Sequence, residues 1–326
     1  MLEHSGRPRH RYQAVKACFT EIEGLREELA DLPLPEAPVA LVQDYNVLWG
    51  YEASRVGADV NYPGLIGRLH REFYDRHVAV DVIPPERDLG GYRLVVLPSL
   101  MMIAADFAKR LTRFVREGGT VLAVGQIGLR DFADNYLDTP GPEHLRDLLG
   151  VTIEGGMYLA SHVGPDEALW VPAPSRRQVA VGLKGKLERD GVAGPFTART
   201  WVADLTLAGK GRALLTFEGE AYPRQPAVVE TATGRGGALY AGTVNPDDAL
   251  LSALADAALR RAGVERGPVT PRHVEVVTRG RLTFAVNHTD QTVSVPLGRT
   301  RKTVLGRVRG GIAELGPYGV AVVRNV

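Results

Sequence analysis

Residues Tyr92 to Gln126, YRLVVLPSLMMIAADFAKRLTRFVREGGTVLAVGQ, constrain the fold more than any other stretch of this chain. Leu94 to Leu97 and Thr120 to Val124 are short, β-branched apolar runs of the kind found in strands buried on both faces. Between them Phe107, Leu111, Phe114 and Val115 recur at helical spacing, Asp106 lies in the first turn, and Gly118 follows the last periodic residue. That pattern predicts an amphipathic helix linking two parallel strands in a right-handed crossover.

The flanking segments continue the alternation. A helix is predicted from about Arg9 to Leu32, burying Tyr12, Val15, Phe19, Ile22, Leu25 and Leu29, with Cys18 as an inert buried thiol. Pro33, Pro35 and Pro38 end it, and Val39 to Val42 is the first strand. The segment QDYNVLWGYEASRVGADVNY has few apolar periods and reads as a long loop. Tyr62 to Arg76 follows as a second amphipathic helix and Val78 to Ile83 as a strand. After Gln126 the pattern loosens, with a short helix around Glu143 to Leu149 and only weak signals from Ile153 to about Thr197. Ala213 to Phe217, Ala227 to Glu230 and Ala238 to Gly242 are placed on the far side of the same sheet. A last helix has Asn245 as N-cap, Pro246 at its first position and Gly263 as its close.

These elements imply an α/β fold with an open, mostly parallel doubly wound sheet. Beyond Gly267, Pro268 and Pro271 only strand and turn patterns remain, with hairpin turns at Arg279-Gly280 and His288 to Asp290, as in a small antiparallel β-sandwich. The expected division is 1–37, 38–266 and 267–326.

Net charge is +1, and the 33 arginines and six lysines form no long block, so no nucleic acid or membrane partner is expected. No apolar stretch reaches the ~18 residues of a membrane span, and the N-terminus lacks the apolar core of a signal peptide, which makes the cytoplasm the expected location. One cysteine excludes an internal disulfide and a thiolate-rich zinc site. The eight histidines, His162 among them, lack HxH or HExxH spacing, and neither GxGxxG after the first strand nor GxxxxGK[ST] occurs. No metal or cofactor is therefore expected.

Open α/β sheets bind ligands beyond the carboxyl ends of their strands. The turn after Thr120 to Val124 reads Val124-Gly125-Gln126, with no cysteine or serine to form an acyl-enzyme, and Ser99 after the previous strand has no assignable histidine and acid. Asp44, Asp131 and Asp134 fall in loops at that edge, with Tyr45, Trp49 and Tyr51 as candidate sugar-stacking faces and Gln126 beside them. The structural reading of these residues is the stronger one: Asp44 as a turn cap, and the aromatics as packing under the loop or against another subunit.

The segments SGRPRHRYQAV, VALVQDYNVLWG, VDVIPPERDLGGYRLVVLPSLMMI and FVREGGTVLAVGQIGLRD, in this order, resemble the part of glycoside hydrolase family 42 β-galactosidases that follows the catalytic barrel. The resemblance implies that the central region is that family's trimerisation domain, of flavodoxin or class I glutaminase-like fold. VEVVTRGRLTFAVNHT with GPYGVAVV resembles its C-terminal β domain. No residue matches the motif of either catalytic glutamate, and the roughly 37 residues before the first strand cannot hold a barrel of about 250 residues. The resemblance implies a non-catalytic assembly portion that trimerises with itself or meets a separately encoded barrel. A galactoside-binding protein and a glutaminase-like amidase are the alternatives.

Overall fold

The computed structural model describes residues 4–53, 60–159, 180–187, 194–219 and 224–326, without the side chains of 300 and 301. His162 and residues 54–59 of the expected long loop lie outside the described residues. The chain divides into two compact units, one of residues 36–273 and one joining 1–35 to 274–326.

The N-terminal segment forms helix α1 (His10–Gly24) and a single turn, α2 (Arg26–Leu29). Neither contains a buried residue, which corrects the expectation of one continuous helix with a buried stripe. Phe19 is 65% exposed, and Cys18 is exposed rather than buried.

The larger unit is built on one sheet of 11 strands. Strand β1 (Val39–Val42) leads into helix α3 (Tyr45–Ala53), where a loop was expected, and then α4 (Tyr62–Tyr74), β2 (Val80–Ile83), β3 (Leu94–Pro98), α5 (Ala105–Arg116) and β4 (Thr120–Val124). Every residue of β1, β3 and β4 is buried, as their apolar runs predict. There follow α6 (Arg146–Leu149), β5 (Val151–Tyr158), β6 (Val181–Gly185), β7 (Phe196–Leu207), β8 (Arg212–Phe217), β9 (Pro226–Thr233), β10 (Gly236–Ala241), β11 (Thr243–Pro246) and α7 (Asp248–Arg261).

The strand order is β11-β7-β6-β8-β9-β10-β4-β3-β1-β2, with β5 also paired to β7. Strands β2, β1, β3, β4 and β10 run parallel, whereas every pairing from β10 through β9 outward is antiparallel. The sheet is thus mixed, not mostly parallel. The difference comes from β5, β6 and β7, which carry weak signals in sequence, together with β8, β9 and β11, all of which join through antiparallel pairings.

Helices α4 and α7 are clamped by Arg76, whose guanidinium donates to Glu72 at 2.7 Å, Asp256 at 2.5 Å and Ser252 Oγ at 2.7 Å. Asp247, not Asn245, caps α7, its carboxylate accepting from Leu250 N at 2.7 Å. Asn245 and Pro246 belong to β11. Gly263 follows the helix with φ of +60°, the left-handed conformation expected of a closing glycine.

The remaining strands are β12 (Val274–Arg279), β13 (Leu282–Asn287), β14 (Val293–Pro296), β15 (Thr300–Leu305), β16 (Arg307–Arg309), β17 (Ile312–Leu315) and β18 (Val320–Asn325). They form sheets β12-β13-β18-β15 and β14-β17-β16 around Val276, Ala285, Val295, Ala313 and Leu315, the sandwich expected. The turn at Arg279-Gly280 does close a hairpin. Residues 288–292 instead carry the chain from one sheet to the other, since β14 pairs with β17. In this unit Arg324 grips Glu28 at 2.8 Å, tying the N-terminal segment to β18.

Candidate functional site

Within the parallel half-sheet the connection from β1 goes outward to β2, and the chain then returns to β3 on the other side of β1. This is the topological switch point, where open α/β sheets form a crevice at the carboxyl ends. Asp44, Ser99 and Gln126 follow the three strands that meet there.

Asp44 is 8% exposed, and its Oδ1 accepts from Asn46 N at 2.8 Å and Asn46 Nδ2 at 3.0 Å. These bonds turn the chain from β1 into α3. Helix α3 buries Val47, Gly50 and Tyr51 and leaves Tyr45 and Trp49 about 60% exposed, their rings 6.1 Å apart. Gly50 allows close approach, since a Cβ there would lie 2.4 Å from Met101 Cε.

The Tyr51 hydroxyl reaches Ser99 Oγ at 2.7 Å and donates toward Gln126 Oε1 at 3.2 Å. Ser99 Oγ accepts from Gln126 N at 3.1 Å, and Gln126 Nε2 donates to the Tyr158 hydroxyl at 2.9 Å. Ser99 and Gln126 are at most 1% exposed. Ser99 holds the left-handed conformation, φ +46°, and Gly125 across from it has φ +86°. A Cβ on Gly125 would meet Ser99 Oγ at 2.7 Å.

Burial drives the phenols of Tyr51 and Tyr62 well above the ordinary range, so both are neutral hydrogen-bonding groups near neutral pH. Tyr158 is also raised by burial, against the bond from Gln126. Ser99 therefore touches no group able to take its proton at neutral pH, and the arrangement reads as closed packing rather than an activated nucleophile.

Beside this network Arg130, 5% exposed, donates to Asp134 at 2.7 Å and Tyr136 at 3.1 Å and stacks 4.3 Å above the Tyr136 ring. Tyr136, Tyr158, Trp201 and Glu154 line a neighbouring cleft of about 420 Å³. Asp131 is exposed and holds its own loop, accepting from Ala133 N and Asn135 N at 2.9 Å, bonds that keep its carboxyl below the usual range.

Of the candidates from sequence, the structure gathers Tyr51 and Gln126 around Ser99, with Asp44 one step away through Tyr62, whose hydroxyl accepts from Asp44 N at 3.2 Å. Tyr45 and Trp49 project from the same helix to the outside, and Asp131 stands apart. Tyr158 and Arg130 were missed: Tyr158 ends a strand with little periodicity, and Arg130 follows a glycine-rich turn without a motif. Among the described residues no helix is long and apolar enough to cross a membrane.

Residues 37–265 match the family described as the β-galactosidase trimerisation domain, and residues 273–325 match the β-galactosidase C-terminal domain. The β-galactosidase Bga of Halorubrum lacusprofundi is 34% identical over 312 residues, which cover 89% of this chain and 42% of that protein. The solved β-galactosidase from the same haloarchaeon superposes with a TM-score of 0.80 at 28% identity, over 99% of this chain and 44% of that one. The β-galactosidase from Bacillus circulans sp. alkalophilus gives 0.85 at 24% identity, a likeness of fold, over 100% of this chain and 46% of the other. The chain spans less than half the length of these relatives.

Proposed function

Because this chain belongs to glycoside hydrolase family 42 through the β-galactosidase trimerisation domain, we propose that it acts as the assembly portion of a β-galactosidase. The observation that supports this reading best is the filled carboxyl edge: Tyr51, Ser99 and Gln126 are buried and bonded to one another, while Tyr45 and Trp49 on the same helix face outward. A closed network is a scaffold, and paired exposed aromatics are contact residues.

On this reading the half-sheet is a glutaminase-like scaffold whose elbow holds Gly125 and Gln126 in place of a nucleophile. Three copies associate through the 38–266 domain, or the chain meets a separately encoded barrel, in the cytoplasm. Tyr45 and Trp49 face a neighbouring subunit or its galactoside pocket, Asp44, Tyr51 and Gln126 hold that surface in place, and Asp131 sits at its margin. Light scattering at micromolar concentration is expected to give the mass of a trimer. A chromogenic β-galactoside is expected to remain intact with this chain alone, and robust turnover would overturn the reading.

A further inference from the structure

Thirty-three arginines in a chain of net charge +1 suggest no patch, yet the fold concentrates cations at one place. A groove of about 770 Å³ runs along α5, floored by Ala105, Ala108 and Thr112 and edged by Lys109, Arg113 and Arg116, with His144 and Arg235 opposite. Arg235 also lines an adjoining cleft of about 410 Å³ that contains Lys210, Arg212 and Arg261. Across the two clefts seven arginine and lysine side chains face only two carboxylates, Glu117 and Glu230.

Glu230 already binds Arg212 and Arg261. Among the described residues no ion pair engages Lys109, Arg113 or Arg116, and all three are exposed. The helix dipole explains basic residues in the last turn of α5, here Arg113 and Arg116. It does not explain Lys109, nor why Arg235 from the β9–β10 turn and Lys210 from the β7–β8 turn converge on the same edge.

We propose that this groove docks an acidic helical segment of a partner protein, a surface separate from the Tyr45 and Trp49 contact. Lys109, Arg113 and Arg116 lie at i, i+4 and i+7, a row about 10 Å long on one helix face. A partner helix with carboxylates at the same spacing matches that row charge for charge. The alanine floor lets a helix backbone approach, whereas a phosphate chain has no use for an apolar floor.

The probe is a fluorescein-labelled alanine-based helix carrying glutamates at i, i+4 and i+7, read by anisotropy against the full chain. Binding is expected, weakening as salt rises, and falling about tenfold in Arg113→Glu/Arg116→Glu but little in Arg113→Lys/Arg116→Lys. Circular dichroism controls for folding of the variants. No binding of the peptide, or equal loss in both double variants, overturns the proposal. Heparin binding as tightly as the peptide also overturns it, since the groove is then a general polyanion surface. If charge reversal lowers the mass seen by light scattering, the groove is a contact between copies and the proposal again fails, without touching the assembly reading, which rests on other residues.

Discussion

The Tyr51 hydroxyl sits where two buried polar groups converge, so Tyr51→Phe keeps the ring and removes the bonds to Ser99 Oγ and Gln126 Oε1. Leaving a buried polar group short of a partner costs on the order of 1–3 kcal/mol. Urea denaturation of the variant is expected to show a loss in that range, and an unchanged midpoint would mean the network carries no stability. Gly125→Ala tests the same place through the backbone. Its φ of +86° disfavours any side chain, and the new Cβ would press on Ser99 Oγ, so a loss above about 1 kcal/mol is expected. Asp44 and Gln126 could be named from sequence because they directly follow buried strands, and Tyr51 because it is an aromatic in the segment after the first of them. That Ser99 joins them is a matter of three-dimensional approach: Tyr51 lies on a helix and meets Ser99 only when α3 folds over β3.

At the scale of elements, α3 was hidden by its own composition. Gly50 lowers helix propensity in the middle of the segment, and outward-facing Tyr45 and Trp49 blur the apolar stripe. Helix α1 shows the reverse, an apolar stripe readable in sequence that nothing in the described structure buries. Periodicity identifies a face but not its partner. A helix of 15 residues without burial is marginal, so amide exchange is expected to be fast in α1 and slow in α5, where Phe107, Leu111 and Val115 are buried. The clamp between α4 and α7 gives a sharper test. Arg76→Met leaves Glu72 without its cation in a partly buried site while Asp256 keeps Arg266 at 2.6 Å, so a loss on the order of 1–3 kcal/mol, carried mainly by Glu72, is expected. Thermal denaturation reads it, and a change within about 0.5 kcal/mol would show that the carboxylates find water instead.

For the whole molecule, association and acid stability are the measurable consequences. Trp49→Ser is expected to lower the mass seen by light scattering while leaving the melting temperature nearly unchanged, because Trp49 is 60% exposed and its helix is held by Val47 and Tyr51. Burial alone would raise the Glu230 carboxyl, but Arg261 and Arg212 outweigh it and hold the carboxyl below its ordinary value. A depressed folded pKa contributes stability that is present above the unfolded value, about 4.3, and lost as pH falls through the folded one. Glu230→Gln is therefore expected to flatten the acid limb of the stability profile below about pH 4.3, by less than ~1 kcal/mol since Arg212 is largely exposed to solvent. The parallel half of the sheet was legible from its apolar runs. In the antiparallel half β8 and β9 were legible as strands, but β5 and β6 were not, because Gly155, Gly156, Gly182 and Gly185 interrupt alternation there, and Gly156 leaves room for the Trp201 ring against its backbone.

Strand β10 lies between β9 and β4, and its parallel partner β4 ends at Val124, long before Gly236 is reached. A growing chain thus carries the bare edge of β4, fully apolar, until the last third of the sheet has been made. Any nascent or truncated product stopping short of Ala241 would present that edge to its neighbours, so a slow folding step and strand exchange between copies are the expected consequences of this strand order.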